Sequence, residues 1–410
     1  MNSSAKPISI LVTGAKGFFG KNLVHNLKNI RDSKNRTHPN LSISDIFEYD
    51  VDTDPSLLDS FCSKADFVFH LAGINRPINP NDFIKGNRDF SELLLETLKS
   101  HNSSAPIMMS SSIQACLTGS YANSEYGRSK LAAEELLFKY SRDSGNKVFI
   151  YRLPNLFGKW CKPNYNSVVA TFCHNIANDI PIIVNNRNTE IEFLYIDDLV
   201  EEMLLLLEGF EHRCDYDGMN RVDNVYGSFC FVPTTYKVTL GYIADRLVEF
   251  KQSFNLFKLP SIPDDSFDKK LLSTFISYFT IENSSYFYDK KEDYRGSFTE
   301  LFKTVSSGQF SLNISKPGLT KGEHWHNSKW EIFVVVHGEA LIEQRQIDSD
   351  EVAQYYVSGN KPQAVILIPG YTHRIVNLSK SDDLVTLIWA NEVFDQNHPD
   401  TFFEKVDKWK

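Results

Sequence analysis

A short apolar run from Ile8 to Val12 leads directly into T-G-A-K-G-F-F-G, Thr13 to Gly20, and a helical pattern begins at Lys21 with Leu23, Val24 and Leu27 on one face. Strand, glycine turn, helix is the opening of a βαβ unit, and it constrains the amino-terminal half to a Rossmann-type, doubly wound parallel sheet. Gly14 permits the tight turn, Gly17 lets backbone approach pyrophosphate and Gly20 allows close helix packing, while the helix N-terminus stabilises phosphate charge. With those flanking elements the G-x2-G-x2-G spacing reads as a dinucleotide-binding turn, with Phe18 and Phe19 inside it.

A second strand is expected to end at I-F-E-Y-D, where Asp50 would meet the adenosine ribose and accept from its hydroxyls, which favours NAD. Lys16, inside the glycine loop, would instead meet a 2′-phosphate, which favours NADP. Residues Asp66 to Gly73 read as a buried strand running into a small-residue turn, where Leu71, Ala72 and Gly73 would lie against the cofactor. Asn87 to Leu98 is helical in pattern, and Pro106 to Ser112 is a strand ending in hydroxyls. Next comes Y-G-R-S-K, which puts Tyr126 and Lys130 one above the other on a helix face. An ammonium beside a tyrosine favours the phenolate form, so Tyr126 is expected to serve as an acid-base group with Ser112 bonding the same substrate oxygen. Lys130 would also hold the nicotinamide ribose.

Through T-G-A-K-G-F-F-G, H-L-A-G, S-S-S, Y-G-R-S-K, Y-R-L-P-N-L-F-G and F-L-Y-I-D-D-L-V, residues 7 to about 210 resemble an extended short-chain dehydrogenase/reductase of the nucleotide-sugar type. The resemblance implies that Ser112, Tyr126 and Lys130 are catalytic and that Asn155 touches the phosphate region of a sugar nucleotide. Where many members carry an arginine this chain has Ile191, and Arg187 is the nearest substitute for contact with a diphosphate.

Glu211 to Asn224 is polar and reads as a loop, Val238 to Phe257 as a helix, and Phe279 to Ser285 as the boundary between domains 1–278 and 285–410. Beyond it short β-branched and aromatic runs recur at Gln309–Ile314, Ile332–Val336, Ala340–Glu343, Ala364–Ile368 and Leu384–Trp389, a pattern of sandwiches and barrels. Among them lies G-L-T-K-G-E-H-W-H-N-S-K-W-E-I-F-V-V-V-H-G, Gly318 to Gly338. Alternating His324 and His326 would share one strand face, and a hairpin would fold Glu331 back onto it. His373, in I-P-G-Y-T-H-R-I-V-N, is a fourth ligand candidate. Imidazoles with a carboxylate suit zinc, iron, nickel or manganese. The spacing G-x5-H-x-H-x4-E-x6-G resembles the first cupin motif, which implies an all-β cupin barrel, a bound divalent metal (zinc) and a two-fold homodimer. A divalent cation held there could stabilise an oxygen anion, or, because four protein ligands can close a coordination shell, only brace the barrel; a mainly structural metal placed near the pocket is the slightly favoured expectation.

At 410 residues, with 42% hydrophobic and 23% charged, the chain has the composition of an ordinary globular protein of two or three domains. A net charge of -9 argues against a nucleic-acid partner. The opening M-N-S-S-A-K-P has no apolar leader, and no stretch approaches the ~20 apolar residues that span a bilayer, so a cytoplasmic, membrane-free protein is expected. The six cysteines fit neither a metal motif nor a disulfide framework and are expected to be reduced thiols.

The combination of the two halves, with N-L-F-G-K-W-C-K-P-N-Y-N-S-V and K-P-G-x-T-K-G-x-H-W-H, resembles the CapF family of bifunctional capsular polysaccharide enzymes. That resemblance implies a UDP-linked 2-acetamido-2,6-dideoxy-4-ketohexose, a 4-keto-6-deoxy-N-acetylhexosamine, as substrate. The second domain would epimerise C3 and the first would reduce C4 with NADP(H) rather than NAD(H), giving UDP-2-acetamido-2,6-dideoxy-L-talose. The base is left open among Lys321, Glu323, Lys329 and His337. The rival is a monofunctional 4-reductase whose second domain only dimerises.

Overall fold

The computed structural model describes residues 6–407 apart from 78, 80, 81, 261, 265, 305–307, 396 and 398. The chain divides into two compact units, Met1–Leu247 with Asp265–Phe279 and Val248–Asp264 with Thr280–Lys410.

Eleven strands of the first unit are β1 (Ile8–Thr13), β2 (Ile43–Tyr49), β3 (Phe67–His70), β4 (Ile107–Ser112), β5 (Val148–Leu153), β6 (Asn155–Phe157), β7 (Glu190–Tyr195), β8 (Arg213–Asp217), β9 (Asn220–Asp223), β10 (Phe229–Cys230) and β11 (Tyr236–Thr239). The main sheet has the order β2-β1-β3-β4-β5-β10-β8-β9, parallel from β2 to β10. A small sheet, β11-β7-β6, lies apart from it. Helices on both faces explain why β1 is apolar at successive positions: Ile10 and Val12 pack with Leu23, Leu27 and Leu199, and Leu11 with Leu94, Leu98 and Leu137. All of these side chains are buried, each stabilising the fold by roughly 1.5–3 kcal/mol. Glu211 to Asn224 is not a loop: β8 and β9 form a hairpin with Gly218, at φ +58°, in a two-residue turn. Its strands are largely solvent-facing, so no apolar alternation marked them.

The second unit comprises β12 (Lys258–Leu259), β13 (Lys290–Asp293), β14 (Gly296–Thr304), β15 (Gln309–Ser315), β16 (Thr320–Trp325), β17 (Glu331–His337), β18 (Glu339–Gln346), β19 (Val352–Ser358), β20 (Ala364–Leu367), β21 (Tyr371–Asn377), β22 (Leu384–Ala390) and β23 (Phe402–Phe403). They form two sheets, β12-β14-β15-β22-β17-β20 with β13 on β14, and β19-β18-β21-β16-β23. Phe333, Val335 and Ile388 of one sheet meet Ile342, Val357 and Ile375 of the other in a shared core. β15 inverts the usual alternation: Gln309, Ser311, Asn313 and Ser315 are buried, whereas Phe310, Leu312 and Ile314 are only half-buried.

Two candidate functional sites

In the first unit a cavity of about 510 Å³ opens over the glycine turn, lined by Gly14, Gly17, Phe18, Phe19 and Gly20 at one end and Ser112, Tyr126, Lys130 and Asn155 at the other. Gly14 adopts φ +70°, and a Cβ there would lie 2.7 Å from the Ala72 nitrogen, so only glycine fits. A Cβ on Gly20 would lie 2.1 Å from the Gly14 carbonyl oxygen, which is how closely the first helix, Phe18–Arg31, packs onto the turn. Gly17 caps that helix, whose free N–H groups therefore begin at the cavity, a fit for a dinucleotide pyrophosphate. Leu71 and Gly73 line the same space, and a Cβ on Gly73 would fill it within 2.9 Å of the Lys130 ammonium.

Three expected contacts fall outside this lining. Asp50 is used inside the fold: its carboxylate accepts from the Lys16 backbone N–H at 2.7 Å and from Val51 at 2.8 Å. The Lys16 side chain lines the cavity but pairs with Asp52 at 2.5 Å, both residues exposed. Ala72 backs the Gly14 turn. Arg187 reaches Asp245 at 2.6 Å and the Gly241 carbonyl at 3.3 Å, away from the lining, because helix Leu240–Asn255 offers it a carboxylate.

Tyr126 and Lys130 begin the helix Glu125–Ser144, capped by the Ser124 hydroxyl accepting from Gly127 N–H at 2.9 Å. The Lys130 ammonium lies 6.0 Å from the Tyr126 ring centroid and donates to the Ser110 carbonyl at 3.0 Å. The expected lowering of the tyrosine pKa is overturned. Burial pushes Tyr126 up to about 12, and burial pulls Lys130 down to about 8 against the opposing Glu134 charge. The group presented to the cavity is a protonated phenol, the form that donates. Ser112 accepts from Gln114 N–H at 3.3 Å while its hydroxyl hydrogen remains available.

Sequence reasoning missed a buried ion pair behind these groups. Arg152 meets Glu134 at 2.6 Å, and Ser111 of β4 donates to the same carboxylate, tying the helix to the strand that carries Ser112. It also missed Trp160, Lys162 and Tyr165, which line the cavity. Trp160 stands at φ +69° with the Lys21 ammonium 4.8 Å from its ring centroid. The unusual composition of K-W-C-K-P-N-Y was the available signal.

In the second unit His324, His326, Glu331 and His373 come together, their ligand atoms all within 4.8 Å of one another. The route differs from a hairpin. β16 carries His324 and belongs to one sheet, whereas Glu331 opens β17 in the other, so the carboxylate faces the imidazoles across the interior. Glu331 Oε2 lies 3.8 Å from His326 Nε2 and 3.7 Å from His373 Nε2. Donors held 2.0–2.1 Å from a tetrahedral ion sit about 3.4 Å apart, close to these separations.

The Nε2 atoms of His326 and His373 are buried and unpartnered among the described residues. His326 Nδ1 bonds the Asp400 carbonyl, which fixes the tautomer and leaves Nε2 as an acceptor. The Asp400 carboxylate accepts from the backbone N–H groups of Asn327, Ser328 and Lys329 at 2.8, 2.8 and 2.9 Å, shaping the loop between His326 and Glu331. Burial, with His324 beside it, pushes His373 down to about 3, so its ring is neutral. Burial opposes ionisation of Glu331, yet His326, the Lys329 ammonium and His373 hold it down at about 2. Three imidazoles and a carboxylate, with two orphaned acceptors, fit a divalent transition metal. A cavity of about 510 Å³ adjoins them, lined also by Lys321, Lys329, Asn313 and Phe333. Glu323 turns instead to Arg374, at 3.0 Å, and His337 is exposed at the end of β17.

Residues 10–217 match the NAD dependent epimerase/dehydratase family, and residues 291–402 match the polysaccharide biosynthesis C-terminal domain. The chain belongs to the NAD dependent epimerase/dehydratase family. It is 38% identical to the UDP-2-acetamido-2,6-beta-L-arabino-hexul-4-ose reductase of Pseudomonas aeruginosa over 96% of this chain and 98% of the other. It is 28% identical to UDP-glucuronate 4-epimerase 3 of Arabidopsis thaliana over 65% of this chain and 70% of that one. The crystal structure of the capsular polysaccharide assembling protein CapF from Staphylococcus aureus superimposes with a TM-score of 0.84 at 44% identity, covering 97% of this chain and 100% of that one. Both units thus have their counterpart in one CapF-like chain. All six cysteines are free, and five are buried. Among the described residues no helix is long and apolar enough to cross a membrane.

Proposed function

We propose that the chain is a bifunctional UDP-sugar enzyme of surface polysaccharide synthesis. The second unit, a cupin-type barrel, epimerises C3 of UDP-2-acetamido-2,6-dideoxy-4-ketohexose. The first then reduces C4 with NADPH to UDP-2-acetamido-2,6-dideoxy-L-talose. The observation that carries this reading is the coexistence of four converging candidate metal ligands beside one cavity and a Ser-Tyr-Lys set in the other. The named reductase relative and CapF support the substrate class and the pathway.

The order follows from acidity. A hydrogen on C3 is removable only while C4 is a ketone, because the adjacent carbonyl takes up the electron pair. Epimerisation must therefore precede reduction. In the first cavity reduced nicotinamide, when bound, supplies the hydride. Tyr126 donates its phenolic proton to the C4 oxygen, Ser112 hydrogen-bonds that oxygen, and Lys130 orients the cofactor ribose. The phenol is protonated throughout the neutral range, as reduction requires. In the second cavity a zinc-like cation on His324, His326, Glu331 and His373 would supply a fixed positive charge. Preference for NADPH would come from Lys16, whose pair with Asp52 is exposed to water and so readily exchanged for a 2′-phosphate.

A homodimer is part of the proposal. Val336, Ile366 and Leu387 are 41%, 55% and 39% exposed on the outer face of the larger sheet, beside half-buried Ile332, Val334 and Trp389. A second copy covering this face would remove them from water. Light scattering tests it: Ile366→Glu should give a monomer, and a monomeric unaltered protein would refute it.

The decisive experiment is product analysis by NMR after incubating the protein with the UDP-linked 4-keto sugar and NADPH or NADH. Inversion at C3 with reduction at C4 is expected. Reduction with C3 unchanged would defeat the bifunctional reading.

A further inference from the structure

One lysine reaches the second cavity only because the backbone is irregular beside it. β16 pairs with β21 so that Lys321 faces Ile375 and His324 faces His373, with a register shift between Gly322 and His324. Along a regular strand residues three apart point to opposite faces. The one-residue bulge cancels that alternation, and Lys321, His324, Ile375 and His373 all line the same space. Gly322 sits at φ +105° and Glu323 at φ +62°. A non-glycine residue in that region costs about 1–3 kcal/mol, and such strain persists only where the surroundings over-determine it. Here Glu323 is held by Arg374 at 3.0 Å and by the Val406 N–H at 2.6 Å.

The cradle of Lys321 holds its Nζ at the edge of the second cavity. Its Nζ donates to Asn313 Oδ1 and the Ile314 carbonyl, both at 2.8 Å, and to the Ser297 carbonyl at 3.3 Å. An ammonium has three N–H donors and an amine two. Losing one proton therefore keeps both short bonds and gives up the long one. Burial lowers its pKa from the ordinary lysine value, with Asp293 opposing and Arg295 adding to the effect. The other nearby candidates are occupied or displaced. The Lys329 ammonium lies 3.2 Å from Glu331, Glu323 is bound to Arg374, and His337 is exposed.

We propose that Lys321 is the catalytic residue that takes the C3 proton in the second cavity, which rests on the epimerase reading above. The C3–H bond breaks and its proton forms an N–H bond to the Lys321 amine. The electron pair enters the C3–C4 bond, and the carbonyl pair moves to the C4 oxygen. A solvent proton added to the opposite face of C3 rebuilds the C–H bond and the ketone. Lys321 returns its proton to solvent, and no oxidant or reductant is consumed.

Full-length metal-loaded protein, incubated with the UDP-linked 4-keto sugar in deuterated buffer without nicotinamide, tests this by NMR of C3. The unaltered protein should exchange the C3 hydrogen. Lys321→Arg keeps the positive charge and a donor group but cannot give up its proton at neutral pH, and it should exchange at least ~100-fold more slowly with metal content unchanged. Lys321→Ala should be slowed similarly and partly rescued by added ethylamine. Exchange by Lys321→Arg within a few-fold of the unaltered rate would overturn the assignment of Lys321 alone. No exchange by the unaltered protein would overturn the epimerase reading and the assignment with it.

Discussion

Two cavities of about 510 Å³ each are built by opposite means. The pyrophosphate end of the first is shaped by backbone, a glycine turn and a helix start set by residues near one another in the chain. The second is shaped by side chains that meet from two facing sheets, where His326 and Asp400 lie 74 residues apart. Local conformational rules dictate the first, and long-range register dictates the second. A single added methyl should therefore damage the one, and a single lost ligand the other.

The sharpest way to break this comparison is Tyr126→Phe. Loss of the proton donor should slow C4 reduction by ~10²–10⁴-fold, while deuterium uptake at C3 stays unchanged by NMR. Parallel loss of both would mean that the two sites are not independent. Next in size, His326→Ala should weaken metal binding by more than the ~10–100-fold seen when only an outer partner of a ligand is lost. Chelator competition followed by metal analysis measures this, and C4 reduction should survive. Gly20→Ala forces a Cβ to within 2.1 Å of a carbonyl oxygen and should destabilise the first unit by about 3 kcal/mol or more in a urea titration. Unaltered stability would remove the backbone argument.

The smallest effect concerns His70, buried between Thr13 and Ser91 hydroxyls, each at 2.8 Å, and pushed down to about 3 by burial and the Lys130 charge. Because its folded pKa lies below the unfolded value of ~6.5, the unfolded chain takes up the proton first. Its contribution to stability is therefore complete above pH ~6.5 and shrinks as the pH falls toward 3. Nitrogen NMR of the ring should show no titration between pH ~8 and ~5, and a midpoint near 6.5 would contradict its burial as a neutral group.

What was legible in the sequence follows the same division. The T-G-A-K-G-F-F-G turn announced its strand, helix and cavity because glycine spacing encodes local geometry. The four candidate metal ligands were legible as residues, yet not as an arrangement: nothing in H-W-H-N-S-K-W-E reveals that Glu331 belongs to the opposite sheet. Asp50 and Arg187 were assigned to ligands because their partners, the Lys16 backbone and Asp245, are visible only once the chain is folded. The hydrogen-bonded role of Lys321 was hidden for a related reason, since strand alternation alone cannot anticipate a bulge. The tyrosine electrostatics failed in sign because burial, which sequence spacing does not give, outweighed a cation 6.0 Å from the ring centroid.

The bond from His326 to the Asp400 carbonyl carries a consequence for biosynthesis. A growing chain that has already produced every candidate ion-binding side chain up to His373 still lacks the acceptor that aims one of them. Until residue 400 has been made and folded back, the cluster is unfinished and its grip on an ion would be looser. A cation taken up by these residues would then be held less firmly by an unfinished chain than by the complete one.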